Sequence, residues 1–119
     1  MGDRGNIYTH EDGSHGIYFY THWSGSCLVE ILQKALKRGK DRWGDPPYMN
    51  RIIFCEMIKD DVLAETGFGI ATYEIDNEHP IVKVNLLSNM IKIKDYFWSF
   101  ENFVKDKVSI TPSSLWKEL

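Results

Sequence analysis

The stretch YTHWSG, which begins at Tyr20, gathers side chains that could grip or transform a ligand. A phenol, the imidazole of His22 and the indole of Trp23 come directly before Ser24 and Gly25, where a helical pattern begins. Free N–H groups at a helix start attract phosphate or carboxylate, and glycine lets a ligand approach the backbone closely. We therefore expect an anionic ligand to be held by five residues, which we call the YTHWSG corner: Tyr20, His22, Trp23, Ser24 and Gly25. The alternative is that Ser24 only caps the helix and His22 is structural.

Tyr18 joins this candidate site because Tyr18, Tyr20 and His22 alternate along a predicted strand and therefore point the same way. Catalysis fits the corner poorly, since no G-x-S-x-G motif is present and no activated nucleophile is evident. We assign no catalytic residue. An alternative hypothesis is a small hydrolase that uses His22 and His79 as acid and base.

The stretch GKDRWGDPPY is a second candidate for ligand binding. Lys40 and Arg42 offer positive charge to a phosphate, and Trp43 or Tyr48 offers a ring for stacking. The alternative is an exposed connection between two helices in which Trp43 is a core anchor.

The stretch DNEHP, the third candidate, lies between two predicted strands. Asp76 and Asn77 suit the geometry of a turn, whereas Glu78 and His79 have no such structural reason. We therefore include Asn77, Glu78 and His79 among the candidate ligand-binding residues, with a solvated turn as the alternative. The four histidines show no metal-ligand spacing, so we expect neither a metal nor another cofactor.

The elements that must position these residues follow from hydrophobic periodicity. Apolar side chains recur with the period of a helix near 26–38, and Pro46 marks the start of a second helix near 46–59. Beta-favouring runs predict a hairpin before the helices and two strands after them, TGFGIATYEI and IVKVNLL. MIKIKDYFW predicts a further strand, and SFENFVK predicts a short helix. We predict an α+β fold, in which a mainly antiparallel sheet of four or five strands packs against two helices. The predicted order is β-β-α-α-β-β with a short C-terminal element.

The register of the first hairpin depends on the length of its loop. A two-residue turn at Asp12–Gly13 would place Tyr8 on the same face as Phe19, with Ile7 on the face of Tyr18. A loop of three or five residues would exchange these partners.

Length and composition limit the classes of protein that fit. A chain of 119 residues with 43% hydrophobic residues is expected to form one domain, with residues 108–119 as a loose or docked tail. A net charge of −3 excludes a broad basic surface for extended nucleic acid but permits a local basic pocket. No apolar run reaches membrane-spanning length, so we expect a cytoplasmic protein without a membrane partner. Cys27 and Cys55 are expected to be buried, reduced thiols.

The segments GNI, GIYFYTHWSG, ALKRGKDRWGDPPY, RIIFCEM, TGFGI and DNEHP resemble a family of short, uncharacterised proteins from bacteria and their phages. The resemblance covers roughly residues 4 to 84, and YTHW(S/G)G and DNEHP are its specific motifs. It implies a compact, single-domain product of phage or prophage type, and it implies no activity.

These observations favour a non-catalytic binding protein for a small phosphorylated or nucleotide-like ligand, which in a phage-type protein would sequester a host defence signal in the host cytoplasm. A second hypothesis is an inhibitor or adaptor that uses protein–protein contact through exposed Trp98, Phe100 and Trp116. We also expect a homo-oligomer, because a small, aromatic-rich domain without an evident cleft can complete a pocket with its own copy.

Overall fold

The computed structural model describes residues 2–11, 13 and 15–105. The predicted tail, 108–119, which includes Trp116, lies outside these residues. The strands are β1 (Gly5–His10), β2 (Gly16–Thr21), β3 (Phe68–Ala71), β4 (Val82–Asn85), β5 (Met90–Ile93) and β6 (Tyr96–Ser99), and the helices are α1 (Leu28–Arg38), α2 (Pro46–Ile58) and α3 (Phe100–Lys105).

The long helices α1 and α2 lie where their sequence signals place them. A short 3-10 turn, Gly25–Cys27, precedes α1, and the backbone N–H of Gly39 donates to the carbonyl of Ala35 at its end. Pro46 occupies the first turn of α2, where its missing N–H costs no helical hydrogen bond. The helix prediction for the apolar run in α2 is therefore confirmed over the strand alternative.

The sheet has six strands in the order β3-β2-β1-β4-β5-β6. The α+β class is confirmed, but the predicted number of four or five strands is wrong. The prediction of a mainly antiparallel sheet holds only in part, because β1 and β4 pair in parallel. The DNEHP segment is not a hairpin loop, since it belongs to a link that carries the chain past β2 and β1 to β4. MIKIKDYFW forms two strands rather than one, and Lys94 takes a φ of 53° in the turn between them. That turn contains no glycine, the usual sequence signal for positive φ.

The first hairpin has a five-residue loop, because His10 pairs with Gly16. Ile7 therefore lies opposite Phe19, and Tyr8 lies opposite Tyr18. Ile7 and Phe19 point into the core with the helices, whereas Tyr8 and Tyr18 point to the other side of the sheet, which we call the outer face.

The core is built from the apolar stripe of α1, the inner positions of α2 and the inner face of the sheet. Phe100 is buried and Trp98 packs partly against this core, so the expectation that both side chains are exposed is wrong. The adjacent strand β6 turns directly into α3, which folds both rings inward. The expectation of buried thiols is also wrong, because Cys27 is exposed and Cys55 is half-buried.

Replacing Leu32 with alanine should reduce the free energy of unfolding by about 2–5 kcal/mol, since the deleted side chain leaves a cavity in the core. Leu32 is fully buried, whereas Leu63 is 92% exposed and provides a matched control. Leu63→Ala should change stability by less than about 0.5 kcal/mol. Urea denaturation of both variants measures the difference, and equal effects would contradict this core.

Candidate functional site

The carboxylate of Asp3 occupies the start of the helical segment that follows the YTHWSG corner. It accepts the backbone N–H of Ser26 at 3.1 Å and the hydroxyl of Ser26 at 2.5 Å. The Asp3 backbone also bonds on both sides, donating to the carbonyl of His22 and accepting from Gly25, each at 2.7 Å. An acidic residue of the chain itself therefore takes the position that we expected an anionic ligand to occupy.

The DNEHP segment binds the same N-terminal stretch. His79 Nε2 lies 2.5 Å from Asp3 Oδ1, and Arg4 donates to Glu78 from its backbone N–H at 2.8 Å and its side chain at 3.2 Å. Asn77, Glu78 and His79 therefore lie beside the YTHWSG corner. Their polar contacts are made with the N-terminal stretch, and the ring of His79 also lies against Gly25.

Asn6 provides the third of these attachments. Its amide nitrogen donates to the carbonyl of Ile75 at 2.8 Å and to the side-chain oxygen of Asn77 at 2.6 Å. Asn6 is fully buried, although it is the second residue of β1 and lies on the outer face of the sheet. The link between β3 and β4 therefore crosses over this end of the outer face.

Ser24 and Gly25, which indicated an anion site at the corner, have structural roles within the chain. Ser24 makes no capping bond through its side chain, and Thr21 Oγ1 instead accepts the N–H groups of Trp23 and Ser24 at 3.2 and 3.1 Å. A Cβ atom at Gly25 would lie 2.7 Å from the Asp3 carbonyl oxygen. Gly25 is thus required for packing against the N-terminal stretch, since a side chain has no room there.

The aromatic residues of the corner form a partly exposed row. Tyr20 Oη lies 3.0 Å from His22 Nδ1, and the indole of Trp23, 60% exposed, stands edge-on to the imidazole. Tyr18 stacks on Tyr8 with ring centroids 4.4 Å apart. Burial, with smaller effects of nearby charged groups, raises the pKa of both Tyr18 and Tyr20. Both phenols therefore remain neutral hydrogen-bonding groups at physiological pH.

The order of the polar contacts at Asp3 does not match that of a hydrolase. In a catalytic triad the imidazole lies between the hydroxyl and the carboxylate, where it can take the hydroxyl proton. Here the carboxylate of Asp3 lies between Ser26 and His79 and binds both. In these contacts the hydroxyl of Ser26 donates to a carboxylate and not to an imidazole, so His79 does not act on it as a general base.

Lys40 and Trp43 lie away from the corner. Trp43 donates from Nε1 to the carbonyl of Leu36 at 3.0 Å and stands edge-on to Phe100, so it serves as a core anchor. Lys40 is exposed beside Trp43, at a shallow cavity that Glu101 and Lys105 also line.

Arg42 belongs to a different surface, a groove between the end of α1 and the outer side of α2. The cavity measures about 410 Å³ and is lined by Arg38, Arg42, Tyr48, Arg51, Ile52 and Cys55. We call it the arginine groove. The guanidinium carbon of Arg42 lies 5.2 Å from the centroid of the Tyr48 ring, as in a cation–π pair.

Sequence reasoning missed Arg38 and Arg51, although the sequence contained a signal for the groove. Tyr48, Arg51 and Cys55 stand at positions i, i+3 and i+7 of α2, a spacing that places them on one helix face. Most of this helix is apolar, so its sequence indicates a buried element and not a binding face.

Comparison with known proteins identified no similar family model, curated protein or solved structure. Within the described ranges, no helix combines the length and apolar character needed to span a bilayer. In the same ranges, no three His, Cys, Asp or Glu side chains converge as metal ligands would.

Replacing Asp3 with asparagine should lower the free energy of unfolding by about 1.5–3 kcal/mol near neutral pH, because charge-assisted hydrogen bonds are lost. Burial raises the pKa of Asp3, but the hydrogen bonds from Ser26 and His79 outweigh burial, and the pKa falls below its ordinary value of 3.8. The stabilisation is therefore complete above the unfolded pKa and disappears as pH falls through the folded pKa.

Urea denaturation of the parent and of Asp3→Asn, from neutral pH to below the ordinary pKa of aspartate, checks the prediction. The two unfolding curves should differ near neutral pH and converge in acid below the ordinary pKa of aspartate. Asp41→Asn is the matched control, because Asp41 is exposed. A difference between parent and Asp3→Asn that stays constant with pH would contradict the role of the charge.

Proposed function

We propose that the protein is a non-catalytic binder of a small phosphorylated or nucleotide-like ligand and that the arginine groove is its binding site. The observation that carries the proposal is that three arginines, Arg38, Arg42 and Arg51, line one cavity together with Tyr48. The guanidinium of Arg42 lies over the Tyr48 ring. Guanidinium groups bind phosphate through paired N–H donors, and an aromatic ring provides a surface for a planar base.

The charge of the groove supports an anionic ligand. Arg38 is held 3.3 Å from Glu56 and also donates to the carbonyl of Ile52, while Arg42 lies 4.0 Å from Asp45. Arg51 is exposed and forms neither a hydrogen bond nor an ion pair with any residue in the described part of the chain. At least one guanidinium therefore remains available for a phosphate, and the other two arginines line the same cavity.

The size of the groove is also consistent with a nucleotide. Cavities that bind small ligands occupy about 300–1,000 Å³, and the groove falls inside this range. Ile52 and Cys55 add apolar surface to its floor, so one site combines positive charge, an aromatic ring and an apolar wall. This combination favours a phosphorylated compound with a planar group over inorganic phosphate.

The resemblance to phage-type proteins suggests a biological setting for such a binder. We infer that it would act in the host cytoplasm, where sequestering a phosphorylated signal would blunt a host defence. Binding without turnover suffices for this role, in agreement with the absence of a triad-like arrangement among the contacts of Asp3, Ser26 and His79. The expected homo-oligomer stays a prediction.

Arg51→Gln should weaken the binding of adenosine diphosphate by about tenfold to a hundredfold, the scale of one lost charge-assisted hydrogen bond. Titration calorimetry measures the affinity, and the ligand-induced rise in melting temperature gives a second readout. Lys34→Gln is the matched control, because it removes one positive charge from an exposed position of α1 outside the groove.

His22→Ala distinguishes the groove from the YTHWSG corner. If the groove is the site, this variant binds adenosine diphosphate like the parent, whereas Arg51→Gln does not. The opposite pattern would assign the ligand to the corner. If nucleotides neither bind nor stabilise the parent, the proposal is wrong.

A further inference from the structure

A second cluster of cations and rings lies on the outer face of the sheet. The strand register places five side chains in one row across neighbouring strands: Tyr18, Tyr8, Lys83, Lys92 and Phe97. Adjacent strands lie about 4.8 Å apart, so the row extends over roughly 19 Å. Two lysines at its centre are thus flanked by aromatic rings on both sides.

The two lysines are direct cross-strand neighbours, since Lys83 of β4 pairs with Lys92 of β5. The Cβ atoms of such pairs lie about 5 Å apart, and like charges in this position destabilise a sheet. No acidic residue in the described ranges forms an ion pair with either lysine. The pair is therefore an uncompensated double positive charge within a regular sheet.

The surroundings of the lysine pair form a cavity of about 310 Å³. Its lining includes His10, Asn85 and Phe97 with both lysines, and it contains no carboxylate. The ammonium group of Lys92 lies 5.2 Å from the centroid of the Phe97 ring, which is 62% exposed. One wall of the cavity is thus an accessible aromatic ring that already lies beside a cation.

We propose that this cavity is a second binding site, which takes a terminal phosphate monoester attached to a planar ring, as in a nucleoside monophosphate. The phosphate lies between Lys83 and Lys92, and the ring stacks on Phe97. This site is separate from the arginine groove and does not depend on it.

Charge complementarity argues for a monoester. A phosphate monoester carries a charge of about −1.5 to −2 at neutral pH, which matches two ammonium groups close together. A phosphodiester carries one negative charge and would leave the repulsion between the lysines partly uncompensated. Lysine suits this position because its ammonium is a compact point charge on a flexible stem, so two of them can close on one phosphate.

The opposite end of the row is less suited to a phosphate. Burial, then Tyr8 and the negative charge of Glu74, raise the pKa of Tyr18, which places an acidic side chain near that end. A chain of several phosphates along the row would approach this carboxylate. The row therefore favours one phosphate at the lysine pair over an extended polyanion.

Adenosine monophosphate is the probe for this site, compared with adenosine and with cyclic adenosine monophosphate, which carries a diester. Nuclear magnetic resonance titration of the full chain should move the amide signals of Lys83, Lys92 and Phe97 with the monophosphate. The affinity should fall about tenfold or more for each of the two comparison ligands. Equal binding of all three would overturn the proposal, since the phosphate charge would then contribute nothing.

The double variant Lys83→Gln/Lys92→Gln should bind adenosine monophosphate about tenfold to a hundredfold more weakly and should unfold at the same or a higher urea concentration, because the like-charge contact is removed. A loss of stability instead would make the lysines structural residues and overturn the proposal. The double variant Lys34→Gln/Lys37→Gln is the control for total charge, because it also removes two positive charges, from exposed positions of α1 outside this cavity.

Arg51→Gln separates this site from the arginine groove. The monophosphate should still shift the signals of Lys83 and Lys92 in that variant. If the shift of the Phe97 signal disappears with Arg51→Gln and persists in the lysine variant, the outer-face site is wrong while the proposed groove stands. If the shifts persist with Arg51→Gln and adenosine diphosphate binding is unchanged, the groove is wrong while the outer-face site stands.

Discussion

The contacts of the Asp3 carboxylate hold the N-terminal stretch to the first helical segment and to the link between β3 and β4, and the candidate corner depends on them. The carboxylate bonds to Ser26 at the start of the first helical segment and to His79 in the link between β3 and β4. Moving a carboxylate out of water is costly unless donors replace the lost hydration, and here an N–H, a hydroxyl and an imidazole do so. One charged group thus joins three parts of the chain that are distant in sequence.

An internal carboxylate already occupies the helix start at the corner. A helix N-terminus attracts one negative group strongly, and once Asp3 occupies that position a ligand phosphate would have to displace it. Cations without a carboxylate partner are the remaining attractors for an anion. In the described residues they include Arg51 on the helical side and the Lys83–Lys92 pair on the sheet. Both proposed binding sites therefore lie away from the corner, on two other surfaces.

Local sequence signals were sufficient for the helices and insufficient for the sheet. The apolar period of α1 and the position of Pro46 are set within a few residues, so pattern reasoning identified both. The parallel pairing of β1 with β4 depends on distant contacts, among them the amide of Asn6 on the carbonyl of Ile75. A turn-like sequence such as DNEHP is equally compatible with a hairpin and with a crossing link. Only the tertiary partners of its side chains distinguish the two.

The two proposed binding surfaces differ in chemistry and lie on opposite sides of one core. The arginine groove is on the helical layer, and the lysine pair points away from that layer. A helix layer packed on a sheet separates the surfaces by roughly 20 Å, given helix diameters of about 10 Å and layer spacings of about 10 Å. A single nucleotide cannot contact both within one copy. Each proposed site would therefore recognise its ligand alone: the groove by guanidinium groups beside a ring, and the sheet by a doubled point charge beside a ring.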